Sequence, residues 1–412
     1  MNIHNFGAIA RQSPVSPKGS LKKFIELSLK GELLAGDLCL EFERLFAAKT
    51  GHAGAVSFSS ARMGLLLTLK AWGAGAGSEV IVPSLTCPIV PGVVVAAGAR
   101  PIFADSDPDT FNMSFHDIEK KITPRTKAIV ATHIEGMPCE IDKISELAKS
   151  KGIKVIEDCA QSLGALYNGR QAGSFGDAAY FSFAYGKQIN TMGGGIVVTG
   201  DPELAQYLRQ GSEDFGLPSD FRLFRKYCLQ LAVNTGLAEP FFSLLIFPLI
   251  LTSNYAFKDV IEAVFEDKGE IEKLPSYGER YSNFQAWLGI EGLETLEEDS
   301  AGRKAGAALY DKLLAPDIRR QRGPAGAVSS YCYYSIRSPE RERVRRKLLA
   351  RGIDTQSSWN RACSSLPFFA GDAARCPEAD KLDKEVIYLP VYPALGERAV
   401  RRVCEAVNKA LK

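Results

Sequence analysis

The sequence predicts an α/β fold: a large, mostly parallel sheet covered by helices, followed by a smaller C-terminal α+β segment. Two observations lead there. Between residues 52 and 200, short apolar runs alternate with helix-length amphipathic stretches, the rhythm of βαβ units. The runs are apolar throughout rather than alternating, as expected for strands buried on both faces. In such a sheet ligands bind beyond the carboxyl ends of the strands, so polar residues there carry the functional information.

Taken in order, strands are expected at Ala55–Phe58, Val80–Pro83, Pro101–Asp105, Ala128–His133, Lys154–Asp158, Ala179–Phe183 and Gly195–Thr199. Helices are expected at Ala61–Trp72, Ile89–Ala97, Ser114–Lys121 and Ile141–Lys151. Residues 212–273 break the rhythm: Phe221-Arg-Leu-Phe-Arg-Lys-Tyr227 precedes an apolar run, Pro240–Leu251. A helical pattern resumes from Pro275 through Gln285–Leu296. A strand at Ser329–Arg337, a charged helix at Glu340–Arg351 and a last helix from Gly396 complete the chain. The expected division is an N-terminal extension (1–20), a large ligand-binding domain (21–211), a hydrophobic insertion (212–273), and a connecting helix with a small domain (274–412).

Composition excludes several classes. The 412 residues are 46% hydrophobic and 24% charged, with 50 Lys+Arg against 48 Asp+Glu, so no net field favours nucleic acid. The charged run Arg341–Lys347 alternates in sign and reads as a solvated helix face. Nine scattered cysteines, never spaced as CxxC, argue against a disulfide framework or structural zinc and for a reducing cytosol. The N-terminus lacks the apolar core of a secretory signal, and a cytoplasmic location is expected.

Chemistry begins with Lys187, which follows an apolar strand and precedes a glycine run, Gly193–Gly195. A lysine near low-dielectric surroundings has a depressed pKa and can form a Schiff base. The plain alternative is a strand-end lysine reaching to solvent. Asp158 ends another apolar strand, with Gln161 three residues on. Pyridoxal phosphate needs an acid beside its pyridine nitrogen, which keeps the ring an electron sink. Asp158 suits that role, and Gln161 suits the ring face or phenolic oxygen; a lone strand-end Asp is otherwise a helix cap. A phosphate needs donors at a helix N-terminus. Ser59-Ser60-Ala61-Arg62 stands between a strand and a helix, and Ser182 lies five residues before Lys187. The backbone of this turn, the Ser60 hydroxyl, Arg62 and Ser182 are candidate phosphate contacts, against the alternative of an ordinary serine cap. His133 stands at another strand end, near the ligand or simply hydrogen-bonded in the core.

The order of these features resembles the DegT/DnrJ/EryC1/StrS family of pyridoxal-phosphate-dependent sugar aminotransferases. Further motifs carry the resemblance: Glu79-Val-Ile-Val-Pro-Ser-Leu-Thr86, Gly98-Ala-Arg-Pro-Ile-Phe-Ala-Asp105, Glu157-Asp-Cys-Ala-Gln161, Gly173-Ser-Phe-Gly-Asp177, Arg351-Gly-Ile353 and Tyr388-Leu-Pro-Val-Tyr-Pro393. The resemblance implies the type I fold and pyridoxal 5'-phosphate as cofactor. Lys187 becomes the Schiff-base lysine and Asp158 the pyridine-nitrogen partner, with Gln161 near the ring. Ser60, Ala61, Arg62 and Ser182 fall at the phosphate. It further implies an amino donor, glutamate, a nucleotide-activated keto sugar as acceptor, and a homodimer with shared sites.

Four departures stand out. Ala61-Arg62 replaces the family's Gly-Thr/Ser, and Cys87 replaces a ring-stacking aromatic. Gly278-Glu279-Arg280 replaces an Asn-Tyr-Arg segment, and Ser358-Trp-Asn-Arg361 replaces a sugar-facing His-Tyr-Pro. The expected function is therefore amino transfer to a nucleotide sugar for cell-surface polysaccharide or glycolipid. The alternatives are an apolar or lipid-linked ketone as acceptor, or a regulatory pyridoxal-phosphate-binding protein without catalysis. Pro240–Leu251 is too short to span a bilayer, which takes ~20 residues. With the aromatic and basic residues from Phe221 onward, segment 221–255 is instead expected at a membrane surface or against a partner subunit.

Overall fold

Seven apolar runs pair into one sheet in a computed structural model, which describes residues 7–13, 17–253, 278–357, 359–369 and 375–412. The strands are β1 (Gly54–Phe58), β2 (Glu79–Pro83), β3 (Arg100–Ala104), β4 (Thr126–Thr132), β5 (Lys154–Asp158), β6 (Ala178–Ser182) and β7 (Gly195–Thr199). Their spatial order is β1-β7-β6-β5-β4-β2-β3. Neighbours from β6 across to β3 run parallel. Only β7 runs against the others, antiparallel to both β6 and β1.

Side chains alternate across this sheet, as the pleat requires. Val80, Val82, Ala128, Val130 and Val197 face a core with helices Ala61–Ala71, Ile89–Ala96 and Pro202–Glu213. Ile81, Ile129, Ala131 and Val155 face the opposite layer with Phe115–Lys121 and Ile141–Lys151. Toward β1 that second layer becomes aromatic: Phe42, Phe46, Phe181 and Phe183 pack edge to face, with centroids 5.0–5.8 Å apart. Burying each such ring contributes roughly 1.5–3 kcal/mol.

The expected strands and helices of this region are all present, with ends moved by one or two residues. Two later elements differ. The expected helix at Gln285–Leu296 runs from Asn283 to Leu313, started by a capping box between Ser282 and Gln285. Its second half mixes charged residues with alanines and glycines, and lacks the large apolar side chains at helical spacing that would reveal it. The strand expected from Ser329 is confined to β8 (Tyr334–Arg337), which joins β9 (Gln356–Ser357) and β10 (Val386–Leu389) in the order β8-β10-β9. Helices Arg341–Leu349 and Glu397–Ala410 bury Val344, Leu348, Val400, Val403 and Val407 with the end of the long helix. A two-residue pairing, Leu85–Thr86 with Arg361–Ala362, joins this C-terminal unit to the mouth of the large sheet.

Within the former break in rhythm, Asp220–Leu237 is a helix capped by Ser219, whose hydroxyl accepts from Arg222 N–H at 3.2 Å. Residues 242–246 form a π-helical turn leading into helix Phe247–Thr252. The two arms bend by 83°, and among the described residues no single helix is long and apolar enough to cross a membrane.

Candidate active site

The strand ladder itself gathers the candidate residues. Asp158, the last residue of β5, pairs with Tyr180 of β6. Ser182, the last residue of β6, pairs with Gly195 of β7, and Gly195 pairs with Phe58 of β1. One step further, Ser60 bridges to Gly194. Sequence segments more than a hundred residues apart thus meet at one edge of the sheet, with Lys187 on the loop between β6 and β7.

Asp158 is buried there. Its carboxylate accepts from Ala160 N–H at 3.0 Å and from the Thr132 hydroxyl at 3.3 Å. Tyr180 OH approaches it but forms no well-aligned hydrogen bond. Burial pushes the Asp158 carboxyl up, opposed by Tyr180, the Ala160 N–H and the nearby charge of Lys187. A buried carboxylate served only by neutral donors suits a cationic ring nitrogen. Pyridoxal phosphate fits this residue.

The phosphate end is equally specific. Ser60 caps helix Ala61–Ala71 in an extended conformation, and its side chain makes no capping bond. Gly193 and Gly194 adopt φ values of 104° and 113°, which only glycine tolerates readily. A Cβ on Gly195 would lie 2.4 Å from the Ala61 Cα, so this approach requires glycine opposite a small residue. The result is a helix N-terminus with amide donors and a hydroxyl around it, a fit for phosphate. Ser182, half-buried, accepts from Ala184 N–H at 3.4 Å. Arg62 stands on the first helical turn. Its charge, with that of Lys187, draws the Cys87 thiol down, while burial pushes it up and Asp158 adds to the rise. Cys87 opens to the cleft although protein surrounds it, and it marks the point where Lys187, Arg62 and Asp158 converge.

Gln161 is held at both ends. Its Oε1 accepts from Glu135 N–H at 2.7 Å, and its Nε2 donates to Asn360 Oδ1 at 3.2 Å. Its amide is thereby oriented by the C-terminal segment. Asn360 in turn donates to Tyr388 OH at 3.4 Å, and Tyr388 stacks on Tyr333 at 4.2 Å between centroids. Asn360 belongs to the rewritten Ser358-Trp-Asn-Arg361 segment, of which Ser358 lies outside the described residues.

Two residues change standing. His133 is fully buried, donating from Nε2 to Glu157 at 3.0 Å while its Nδ1 accepts from Cys139 N–H at 3.2 Å. Both ring nitrogens are occupied inside the core. Glu157 also accepts from Gly173, Phe175 and Gly176 N–H at 2.6–2.7 Å, so this pair organises a loop. Glu135, not singled out in the sequence, is fully buried in a left-handed conformation, φ 62°. The Ser335 hydroxyl donates to its Oε2, its Oε1 has no partner, and burial pushes its carboxyl up to about 7. A non-glycine residue with positive φ leaves no sequence pattern to find it by. Gly278-Glu279-Arg280 is engaged within the chain: Glu279 pairs with Arg222, and Arg280 N–H donates to Gly216 carbonyl at 2.9 Å.

Comparison with known proteins gives the same result. The model of the DegT/DnrJ/EryC1/StrS aminotransferase family matches residues 17–239 and 252–408. The chain is similar to GDP-perosamine synthase of Escherichia coli O157:H7, 31% identical over 396 residues, 95% of each chain. It is also similar to the spore coat polysaccharide biosynthesis protein SpsC of Bacillus subtilis, 39% identical over 415 aligned residues, 97% of this chain and 96% of that one. The solved aminotransferase TlmJ of Streptoalloteichus hindustanus superposes with a TM-score of 0.77 at 27% identity, covering 98% of both chains. The chain belongs to the DegT/DnrJ/EryC1/StrS aminotransferase family and is a pyridoxal-phosphate-dependent transaminase of the type I fold.

Proposed function

We propose that the enzyme moves an amino group, from glutamate, to the keto group of a nucleotide-activated sugar used in cell-surface polysaccharide or glycolipid. The observation that carries this reading is the convergence of Lys187, buried Asp158 and the Ser60–Gly194 cradle at one sheet edge. The names of the relatives, a GDP-perosamine synthase and a spore coat polysaccharide protein, support the sugar class. When bound, pyridoxal phosphate supplies an aldehyde that exchanges amino groups and a ring that takes up electrons. In this reading Asp158 holds the ring nitrogen protonated, and Ser60, the backbone at Ala61, Arg62 and Ser182 hold the phosphate. Gln161, fixed by Glu135 and Asn360, lies against the ring. Lys187 Nζ carries the cofactor and then moves the proton during transfer.

The finer parts of the proposal are a homodimer with shared sites, a division at residues 21–211, 212–273 and 274–412, and a cytoplasmic position with 221–255 against the membrane. An apolar or lipid-linked ketone is the second reading, favoured by the outward-facing leucines of that segment. The test has two stages. Borohydride reduction of loaded protein followed by mass spectrometry is expected to find the cofactor on Lys187; modification elsewhere sinks the mechanism. Protein preloaded with glutamate is then offered keto sugars and lipid ketones. Recovery of the original visible spectrum with a nucleotide sugar supports the first reading, and recovery only with a lipid ketone reverses the ranking. A protein that holds the cofactor but reacts with no donor is a regulatory one.

A further inference from the structure

One buried carboxyl has no task in the transfer reaction. Glu135 lies on the turn after β4, is fully buried, and takes a left-handed φ of 62°. A non-glycine residue held there is strained, and persists only where its surroundings over-determine it. Its neighbours form a directed chain. The Glu135 N–H donates to Gln161 Oε1 at 2.7 Å, and Gln161 Nε2 donates to Asn360 Oδ1 at 3.2 Å. Asn360 Nδ2 then donates to the Tyr388 hydroxyl oxygen at 3.4 Å. A backbone N–H can only donate, which fixes the orientation of each amide in turn. Tyr388 therefore accepts from Asn360 and has its own proton to give onward. The Glu135 carboxyl is the acceptor it approaches, so the chain returns to the residue where it began.

That last edge decides whether the ring closes. The Ser335 hydroxyl donates to Glu135 Oε2, while Oε1 has no bonded partner. A carboxylate accepts the Tyr388 proton, whereas a protonated carboxyl competes with Asn360 for the same oxygen. Hydrogen bonds running head to tail polarise one another, so the closed ring holds its members more firmly than separate bonds do. The Gln161 backbone is tied down independently: its carbonyl accepts from Gln188 Nε2 at 2.8 Å and from the Ser330 hydroxyl at 3.1 Å. Only its side-chain amide depends on the ring. Burial pushes the Glu135 carboxyl up to about 7, opposed by Ser335 and Tyr388. The other titratable groups facing it are Cys332 and Tyr333, just before β8, both kept protonated chiefly by burial. His133, on the same turn, is directed to Glu157, and among the described residues no ion pair reaches Glu135.

We propose that Glu135 is a positioning residue: through Tyr388 and Asn360 it fixes the side-chain amide of Gln161 against the cofactor. The proposal rests on the reading that places Gln161 at the pyridoxal phosphate ring, and adds the group that controls it. Glu135 acts in its ionised form, so its hold tightens as pH rises through about 7 and relaxes below.

The test measures the dissociation constant of pyridoxal phosphate from the full chain at about pH 5.5 and about pH 8.5, on either side of the Glu135 transition. Each variant is compared with wild type at the same pH, which cancels the titrations of the cofactor itself. Glu135→Gln never ionises. It is expected to match wild type at the lower pH and to bind about fivefold more weakly at the higher, the scale of one hydrogen bond. Tyr388→Phe keeps the stack on Tyr333 and removes the same edge, so it should show the same loss at the higher pH only. The double variant should then be no weaker than either single one, because both act on one bond. A ratio to wild type that is equal at both pH values, or losses that add in the double variant, overturns the proposal and leaves Gln161 at the ring. Gln161→Ala with wild-type affinity at both pH values overturns the placement of Gln161 and the proposal with it. If the Gln variant does not fold, Tyr388→Phe decides by the same two ratios.

Discussion

Two regions of this chain invert the usual rule for what is buried. At the carboxyl edge of the sheet, polar groups go inward: Asp158, Gln161, Glu135 and Arg303 are all nearly inaccessible. Along 220–252, apolar groups go outward. Leu223, Tyr227, Phe242, Phe247 and Ile250 face in, while Phe221, Phe224, Phe241, Leu244, Leu245, Leu249 and Leu251 face out, Phe221 at 73% and Leu244 at 69% exposure. Leu21, Ile25 and Leu29 of the adjoining helix Ser20–Lys30 extend that face, since Phe24 stacks on Tyr227 at 4.8 Å. Single exposed leucines mean nothing, but a contiguous patch marks an interaction surface. Each inversion is unfavourable alone: the first suits a polar ligand, the second an apolar surface to pack against. The family model passes over residues 240–251, so Phe241, Leu244, Leu245, Leu249 and Leu251 lie outside the match, whereas Phe221 and Phe224 lie within it.

The sharpest way to separate the two regions is to remove the first. Lys187→Ala is expected to cut turnover by ~10³-fold or more while leaving vesicle binding and apo-protein melting unchanged. Loss of vesicle binding in that variant would mean that the two regions are one structural unit. The reciprocal change, Leu244→Glu with Leu245→Glu, removes two outward leucines from the π-helical turn. Sedimentation with vesicles containing anionic lipid at low salt is expected to show binding weakened at least ~30-fold, with cofactor loading and oligomeric state unchanged. If wild-type protein never sediments with such vesicles, the apolar face belongs to a protein interface and the membrane position is wrong.

The comparison also explains what was legible in the sequence. Strand positions were readable because both-face burial writes uninterrupted apolar runs, and Lys187 and Asp158 were readable because they end such runs. The network behind them was not. Gln161 meets Asn360 across 199 positions, and Glu135 meets Ser335 across 200. Arg303 sits in a stretch of helix that mixes charged with small residues, Glu298-Asp-Ser-Ala-Gly-Arg-Lys304, where nothing distinguishes a buried arginine from an exposed one. The apolar run at 240–251 was conspicuous by composition, yet only the structure assigns its inward and outward faces.

The buried polar region carries a stability signature of its own. Glu135, with its carboxyl raised to about 7 from an ordinary 4.5, binds a proton in the folded protein over a pH range where the unfolded chain has released it. The raised value makes its contribution fully present below about pH 4.5 and lost as pH climbs through 7, an order of 3 kcal/mol for a fully buried group. Glu135→Gln keeps an oxygen for Ser335 and no longer ionises. Apo protein carrying it is expected to melt a few degrees above wild type at pH 8 and within a degree or two at pH 4.5. An equal difference at both pH values would show that ionisation of Glu135 does not govern the effect. The apolar face should show no such dependence, since none of its outward leucines and phenylalanines titrates.

Arg62 gives the smallest effect and the finest distinction, because it stands where one inversion is already partly offset. The helix N-terminus, the Ser60 hydroxyl and the amides of the glycine run remain when Arg62 is removed, so the phosphate keeps most of its donors. A guanidinium reaching the phosphate would add a charge-assisted, two-pronged contact. Arg62→Ala is expected to reduce cofactor retention several-fold, measured as pyridoxal phosphate remaining after dialysis, with Arg62→Lys between the two. Retention equal to wild type would detach Arg62 from the phosphate. The influence of its charge on Cys87 would then assign it to the open part of the cleft. In that event the same variant should raise the KM for the anionic nucleotide sugar and leave the glutamate KM alone. A shift in the glutamate KM instead would place Arg62 beside the amino donor.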